Sequence, residues 1–130
     1  MTDQSQSINN QTFENNHQSR GKTTIAPEVL LTITRLTTLS VPGVSRMSSI
    51  TGGVNHFLQR GISEGVRLHV KDDLVTADLF VILMNDLNIK EVSQKIQQQV
   101  SRAITEMVGM EVGRVNIHVE DIDFPQETEA

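Results

Sequence analysis

The stretch from Val66 to Met84 restricts this chain more than any other part of it. Val66, Leu68 and Val70 alternate with Arg67, His69 and Lys71, the period-two pattern of a strand with one apolar face. Asp72 and Asp73 follow, residues that tolerate a left-handed backbone and suit a two-residue turn. Leu74 to Met84 then reads as a longer return strand. With the two aspartates as the loop, Val70 faces Val75, His69 faces Thr76 and Arg67 faces Asp78. That register gathers Val66, Leu68, Val70, Val75, Ala77, Leu79, Val81 and Leu83 on one face. It sets an opposite-charge pair, Arg67 and Asp78, on the other.

The second strand departs from alternation at its end. Phe80, Ile82 and Met84 fall on the face of Arg67 and His69, so Leu79 to Met84 is apolar on both sides. Strands of that kind are covered on both faces. Two covers are open: the chain's own connector around Val54 to Leu58, or a second subunit. The residues singled out for an interface are therefore Phe80, Ile82 and Met84, with Arg67, His69 and His118 beside them.

Around the hairpin the pattern changes period. Pro27 suits the first turn of a helix, where its missing N–H is not needed, and Val29, Leu30, Ile33 and Leu36 follow at helical spacing. This predicts a helix from Pro27 to about Leu39 with an unusual threonine-rich opposite face, halted by Pro42 and Gly43. Val44 to Ile50 can then form a strand, and Lys22 to Ile25 a short extended piece before the helix. Thr51-Gly52-Gly53 reads as a connector, followed by a short helix over Val54 to Arg60. It lacks the Lys and Ser/Thr of a phosphate loop.

The second helix has the fuller signature. Asn88 can cap it, Glu91 sits where a capping box returns the hydrogen bond, and Leu87 can staple onto Val92. Val92, Ile96, Val100, Ala103 and Met107 form one stripe, broadened by Ile104 and Val108, with Gly109 as C-cap. Val115, Ile117 and Val119 then alternate in a closing strand, and a strand–helix–strand order implies parallel pairing. The expected fold is a small α/β (α+β) two-layer sandwich, a mixed β-sheet with two main helices on one face. Residues 21–124 form the domain. Residues 1–20, rich in Gln, Asn and Ser, read as a disordered tail, and 125–130 as an acidic C-terminal tail.

Function classes fall away in turn. No cysteine is present, so thiolate nucleophiles, disulfides and Cys-based zinc sites are excluded. With no Trp or Tyr, four Phe, a net charge of −5 and no basic run, single-stranded nucleic-acid binding has neither stacking platform nor phosphate contacts. Nor is any run long enough to span a bilayer or any leader recognisable. His17 lies in the tail and His56 in the connector, while His69 and His118 lie on polar strand faces. Were their strands neighbours, His69, His118, Asp78 and Glu120 could share one surface as a weak metal site, but no pair has a recognisable ligand spacing. Asp72-Asp73 is turn chemistry, and Glu120, Asp121 and Asp123 a solvated charged end. Catalytic residues, cofactor and metal are each expected to be none.

The ordered part resembles the alkaline-shock protein family of bacteria, tied to envelope stress and homeostasis. The likeness runs over most of Gly21 to Phe124. It rests on Thr24-Ile25-Ala26-Pro27-Glu28-Val29, Val41-Pro42-Gly43-Val44, Gly52-Gly53 and Gly65-Val66. It continues through Glu91 to Met107, with Val92, Lys95-Ile96-Gln97 and Val100, and Val115-Asn116-Ile117-His118-Val119. The resemblance implies a non-enzymatic, cytoplasmic, self-associating protein, in some members held at the inner face of the membrane by a small membrane-anchored protein partner. A small-molecule or metal-sensing regulator using His69 and His118 is the competing reading; a KH-like RNA module is a third, without the basic G-x-x-G loop it would need.

Overall fold

The computed structural model describes residues 20–49 and 62–125. The predicted tails and the predicted connector helix from Val54 to Arg60 lie outside these residues, apart from Arg20 and Pro125. In chain order the elements are α1 (Pro27–Ser40), β1 (Val44–Met47), β2 (Ile62–Ser63), β3 (Val66–Lys71), β4 (Leu74–Met84), α2 (Ile89–Ala103) and β5 (Glu111–Asp123). The architecture is the one expected, a mixed sheet with both helices packed on one face.

β4 is the axis of the sheet. β5 runs parallel to it along its whole length, from Leu74↔Glu111 to Met84↔Asp123, with two bulges that let the longer strand keep step. The opposite edge is divided. β3 pairs antiparallel with Leu74 to Leu79, and β1 with Val81 to Leu83. Phe80 sits at the junction, its N–H donating to the Gly65 carbonyl at 2.9 Å and its carbonyl accepting from Ser48 N–H at 2.8 Å. The hairpin register is the predicted one, Val70↔Val75, His69↔Thr76 and Arg67↔Asp78. Asp72 and Asp73 take φ of 53° and 64°, the left-handed pair such a turn requires. Gly65 must be glycine. Its φ is +72°, and an added Cβ would stand 2.7 Å from Met47 Cβ and 2.9 Å from the Phe80 carbonyl oxygen.

Val66, Val75, Ala77, Leu79, Val81 and Leu83 are wholly buried under the helices, together with Ile96, Val100 and Ile104 from α2 and the turn beyond it. Asn88 caps α2 as expected, its Oδ1 accepting from Glu91 N–H at 3.0 Å. Gly43 lies against Leu87 and Val92, which joins the α1–β1 turn to the start of α2.

Three predicted details are corrected. First, the core-facing side of α1 carries Leu30, Leu31, Thr34 and Thr38, whereas Val29 and Leu36 are exposed. The threonines can be buried because each hydroxyl donates back one turn, Thr34 to the Leu30 carbonyl at 2.9 Å and Thr38 to the Thr34 carbonyl at 2.8 Å. Their methyl groups are then what the core meets. Second, α2 ends in one wide π-helical turn, Ile104–Val108, closed by the left-handed Gly109, whose N–H reaches back to the Ile104 carbonyl. The wider turn keeps Ile104 inside and turns Met107 out, 69% exposed. Third, β1 ends at Met47, Lys22 to Ile25 joins no strand, and β5 is longer than the alternating stretch suggested.

Candidate interaction surface on the open face of the sheet

The face of the sheet away from the helices carries the residues singled out from the hairpin pattern. At its centre Phe80 lies between the side chains of Arg67 and His118. The Arg67 guanidinium carbon is 5.3 Å from the ring centroid, and the His118 imidazole stacks on the ring with centroids 4.5 Å apart and planes 11° from parallel. The register explains both contacts. Arg67 projects from the neighbouring β3, and His118 is the β5 partner of Phe80 itself.

Below the ring, Asp78 accepts two hydrogen bonds on its Oδ1, from Asn116 Nδ2 at 3.1 Å and from His118 Nε2 at 3.1 Å when that nitrogen carries the proton. Partial burial pushes the Asp78 carboxyl up. The bonds from His118 and Asn116, with the charges of His118 and Arg67, outweigh it and hold the group below its ordinary value. Asp78 and Asn116 thus fix the imidazole in its stacked orientation. Asn116 was not singled out from sequence, and only the β4–β5 register gave a route to it, since a polar residue on an edge strand has no periodic signal of its own.

Toward the other end of β4, Asp123 accepts from Ser45 Oγ, and Arg46 Nε lies 3.5 Å from the same carboxylate. The Ser45 hydroxyl is the chief reason that Asp123 too is held below the ordinary carboxylate value. Ile82 sits between Arg46 and Asp121 in the register and is only 7% exposed. It belongs to the fold more than to the surface. Met84, at the end of the strand, is 51% exposed.

The structure therefore brings Arg67, Phe80 and His118 together, with Met84 exposed four residues further along β4, beyond the buried Ile82. His69 stands apart. β4 lies between β3 and β5, so the strands of His69 and His118 are not neighbours, and His69 is opposite Thr76, four residues along β4 from Phe80. Among the described residues no group of three or more His, Asp or Glu side chains could hold a metal ion. The proposed cover by Val54 to Leu58 falls outside the described residues. Among those same residues no helix is long and apolar enough to cross a membrane.

Comparisons with known proteins follow the same line. The model of the alkaline-shock protein family, described as having a cell envelope-related function, matches residues 15–124. The uncharacterized protein YqhY of Bacillus subtilis is 29% identical over 106 residues, 80% of this chain and 78% of that protein. The uncharacterized protein Spy1535 of Streptococcus pyogenes serotype M6 is 35% identical over 103 residues, 78% of this chain and 79% of that protein. Among solved structures, a copper form of the MamM CTD is similar over 79% of this chain and 90% of its own, at 11% identity and a TM-score of 0.45. A likeness that low carries no argument.

Proposed function

The chain belongs to the alkaline-shock protein family, of cell envelope-related function, and from that premise we propose that it acts by association and not by catalysis. It assembles with further copies of itself through the open face of the sheet. It works in the cytoplasm, in the response of the cell envelope to stress, and is held at the inner face of the membrane by a small membrane-anchored partner.

The observation that carries this reading is the Arg67–Phe80–His118 stack on the open face, with Met84 exposed further along the same face of β4. Arg, Phe and Met are the side chains enriched where protein surfaces meet. The stack is also pre-ordered by Asp78 and Asn116, so little side-chain freedom is lost when a partner covers it.

Met84→Asp tests it, since Met84 is exposed and its replacement spares the fold. Light scattering should show the wild-type chain as an oligomer and the variant as a monomer, with unchanged circular dichroism. A wild-type chain that stays monomeric at high concentration, or a variant that stays assembled, removes this face as the interface. Ile82→Asp is the wrong probe, because a buried unpaired carboxylate would unfold the domain.

A further inference from the structure

The outer edge of β5 is a second surface, and its sequence is complementary to itself. Register fixes which way the backbone points. Glu111 N–H donates to the Asp73 carbonyl and the Asp123 carbonyl accepts from Asn85 N–H, so the residues of β5 opposite even-numbered residues of β4 bond inward. These include Arg114, Asn116 and His118. Val115, Ile117 and Val119 therefore turn their N–H and C=O groups to the outer edge. There the Val115 carbonyl accepts from Gln97 Nε2 of α2 at 2.9 Å, a side chain and not a strand. Among the described residues no strand pairs with this edge. On either side of residues 50–61 the chain lies at the opposite edge of β4, with Ser48 N–H on the Phe80 carbonyl and Ile62 paired with Arg67 of β3.

The strand that matches β5 is β5. Antiparallel pairing with a second copy about a two-fold axis at Ile117 sets Ile117 against Ile117. It also sets Val115 against Val119, Asn116 against His118 and Arg114 against Glu120, each of these twice. Slipping the register by one residue puts the valines and Ile117 opposite Arg, Asn and His. Slipping it by two keeps apolar against apolar but separates both Arg–Glu pairs. Arg114, His118 and Glu120 are exposed, and Glu120 is the residue that the second bulge leaves without a partner on β4. Ile117 and Val119 are only partly covered by the core and would cover each other's copies.

We infer that β5 pairs with β5 of a second copy, and that this joint carries assembly beyond the dimer formed by the open face. The inference rests on the open-face reading. A contact that uses the same patch on both copies stops at two; a second such contact on another surface joins those pairs. The axis at Ile117 is normal to the sheet, so the open faces of both copies lie on the same side. Seven residues of edge pairing, Arg114 to Glu120, are weak alone, and the joint adds to an assembly that the open face has begun.

The chain has no cysteine, so one introduced thiol reports on the joint in the full chain. Two paired Ile117 Cα atoms stand about 5.5 Å apart, within disulfide reach. Two Glu111 Cα atoms stand about 40 Å apart, at about 3.3 Å per residue along the strand. Under mild oxidation Ile117→Cys should run as a cross-linked dimer on a denaturing gel, and Glu111→Cys should not. Arg114→Glu sets two like-charge pairs across the joint, and light scattering should show the mean mass fall by about twofold or more, to that of a dimer. Arg114→Glu/Glu120→Arg should restore it. Both positions are exposed, so these variants serve should Ile117→Cys fail to fold.

An unchanged mass in Arg114→Glu, or cross-linking at 111 as complete as at 117, overturns the proposal and leaves the open face standing. So does exchange protection of the Ile117 and Val119 amides in monomeric Met84→Asp, which would mean that the chain covers its own edge. A wild-type chain no larger than a dimer overturns it at the outset, and a monomer overturns the open face as well.

Discussion

The two faces of β4 are built from adjacent residues and do opposite things. Val75, Ala77, Leu79, Val81 and Leu83 are closed under the helices, while Asp78, Phe80 and Met84, between and beyond them, face outward with Arg67 and His118. On the closed face contact is non-directional, made of shape and apolar area, and any loss leaves a cavity. On the open face each contact has a geometry: a ring between a guanidinium and an imidazole, and a carboxylate under both of its donors. One face holds the chain folded. The other holds side chains ready.

That contrast can be broken most severely at Leu79. Leu79→Ala should cost about 2–5 kcal/mol of unfolding free energy in urea titration, the range for truncating a wholly buried leucine. Its immediate neighbour should behave differently. Phe80→Ala loses a half-covered ring and its two stacking partners, so about 1–2 kcal/mol is expected, with the larger effect on assembly measured by light scattering. Equal losses at 79 and 80 would mean that both faces are core.

Met84→Asp sharpens the distinction further. Its own unfolding free energy should stay within about 0.5 kcal/mol of wild type, as for exposed positions in general, although assembly is lost. Asp78→Asn should give the smallest effect, a small loss near neutral pH that closes as the solution is acidified. Because the folded Asp78 carboxyl titrates below its ordinary value, its contribution is complete above about pH 4 and disappears as pH falls through the lower folded value. The asparagine variant should therefore show a flatter acid limb in pH-dependent denaturation, and an unchanged limb would remove Asp78 as the anchor of the stack.

The hairpin was legible in the sequence down to its cross-strand partners, because the turn pair Asp72-Asp73 and strict alternation specify register together. So was the start of α2, since Asn88 and Glu91 act over one helical turn. The orientation of α1 was not legible. Val29, Ile33 and Leu36 offer an apolar stripe as regular as the one that is buried, and hydropathy ranks threonine below them. Only back-bonded hydroxyls make Thr34 and Thr38 acceptable inside, and those bonds depend on the helix already existing.

The candidate surface was legible in half. Phe80 and Met84 announced themselves by breaking alternation, whereas the pairing of His118 with Phe80, and not with His69, required knowing that β5 adds to β4. Ile82 carried the same signal as its neighbours and is nonetheless buried.

By itself the sequence determined what is written locally: strand and helix periods, the two-aspartate turn, the cap of α2, and the parallel return that a strand–helix–strand order demands. Tertiary structure alone decided which stripe of α1 faces the core, how β1 and β3 divide one edge of β4, and that His118 stacks on Phe80. Periodicity is a property of one element, and it leaves each element two or more faces to bury. The choice among them rests on contacts between residues far apart in the chain, which exist only once the layers have met.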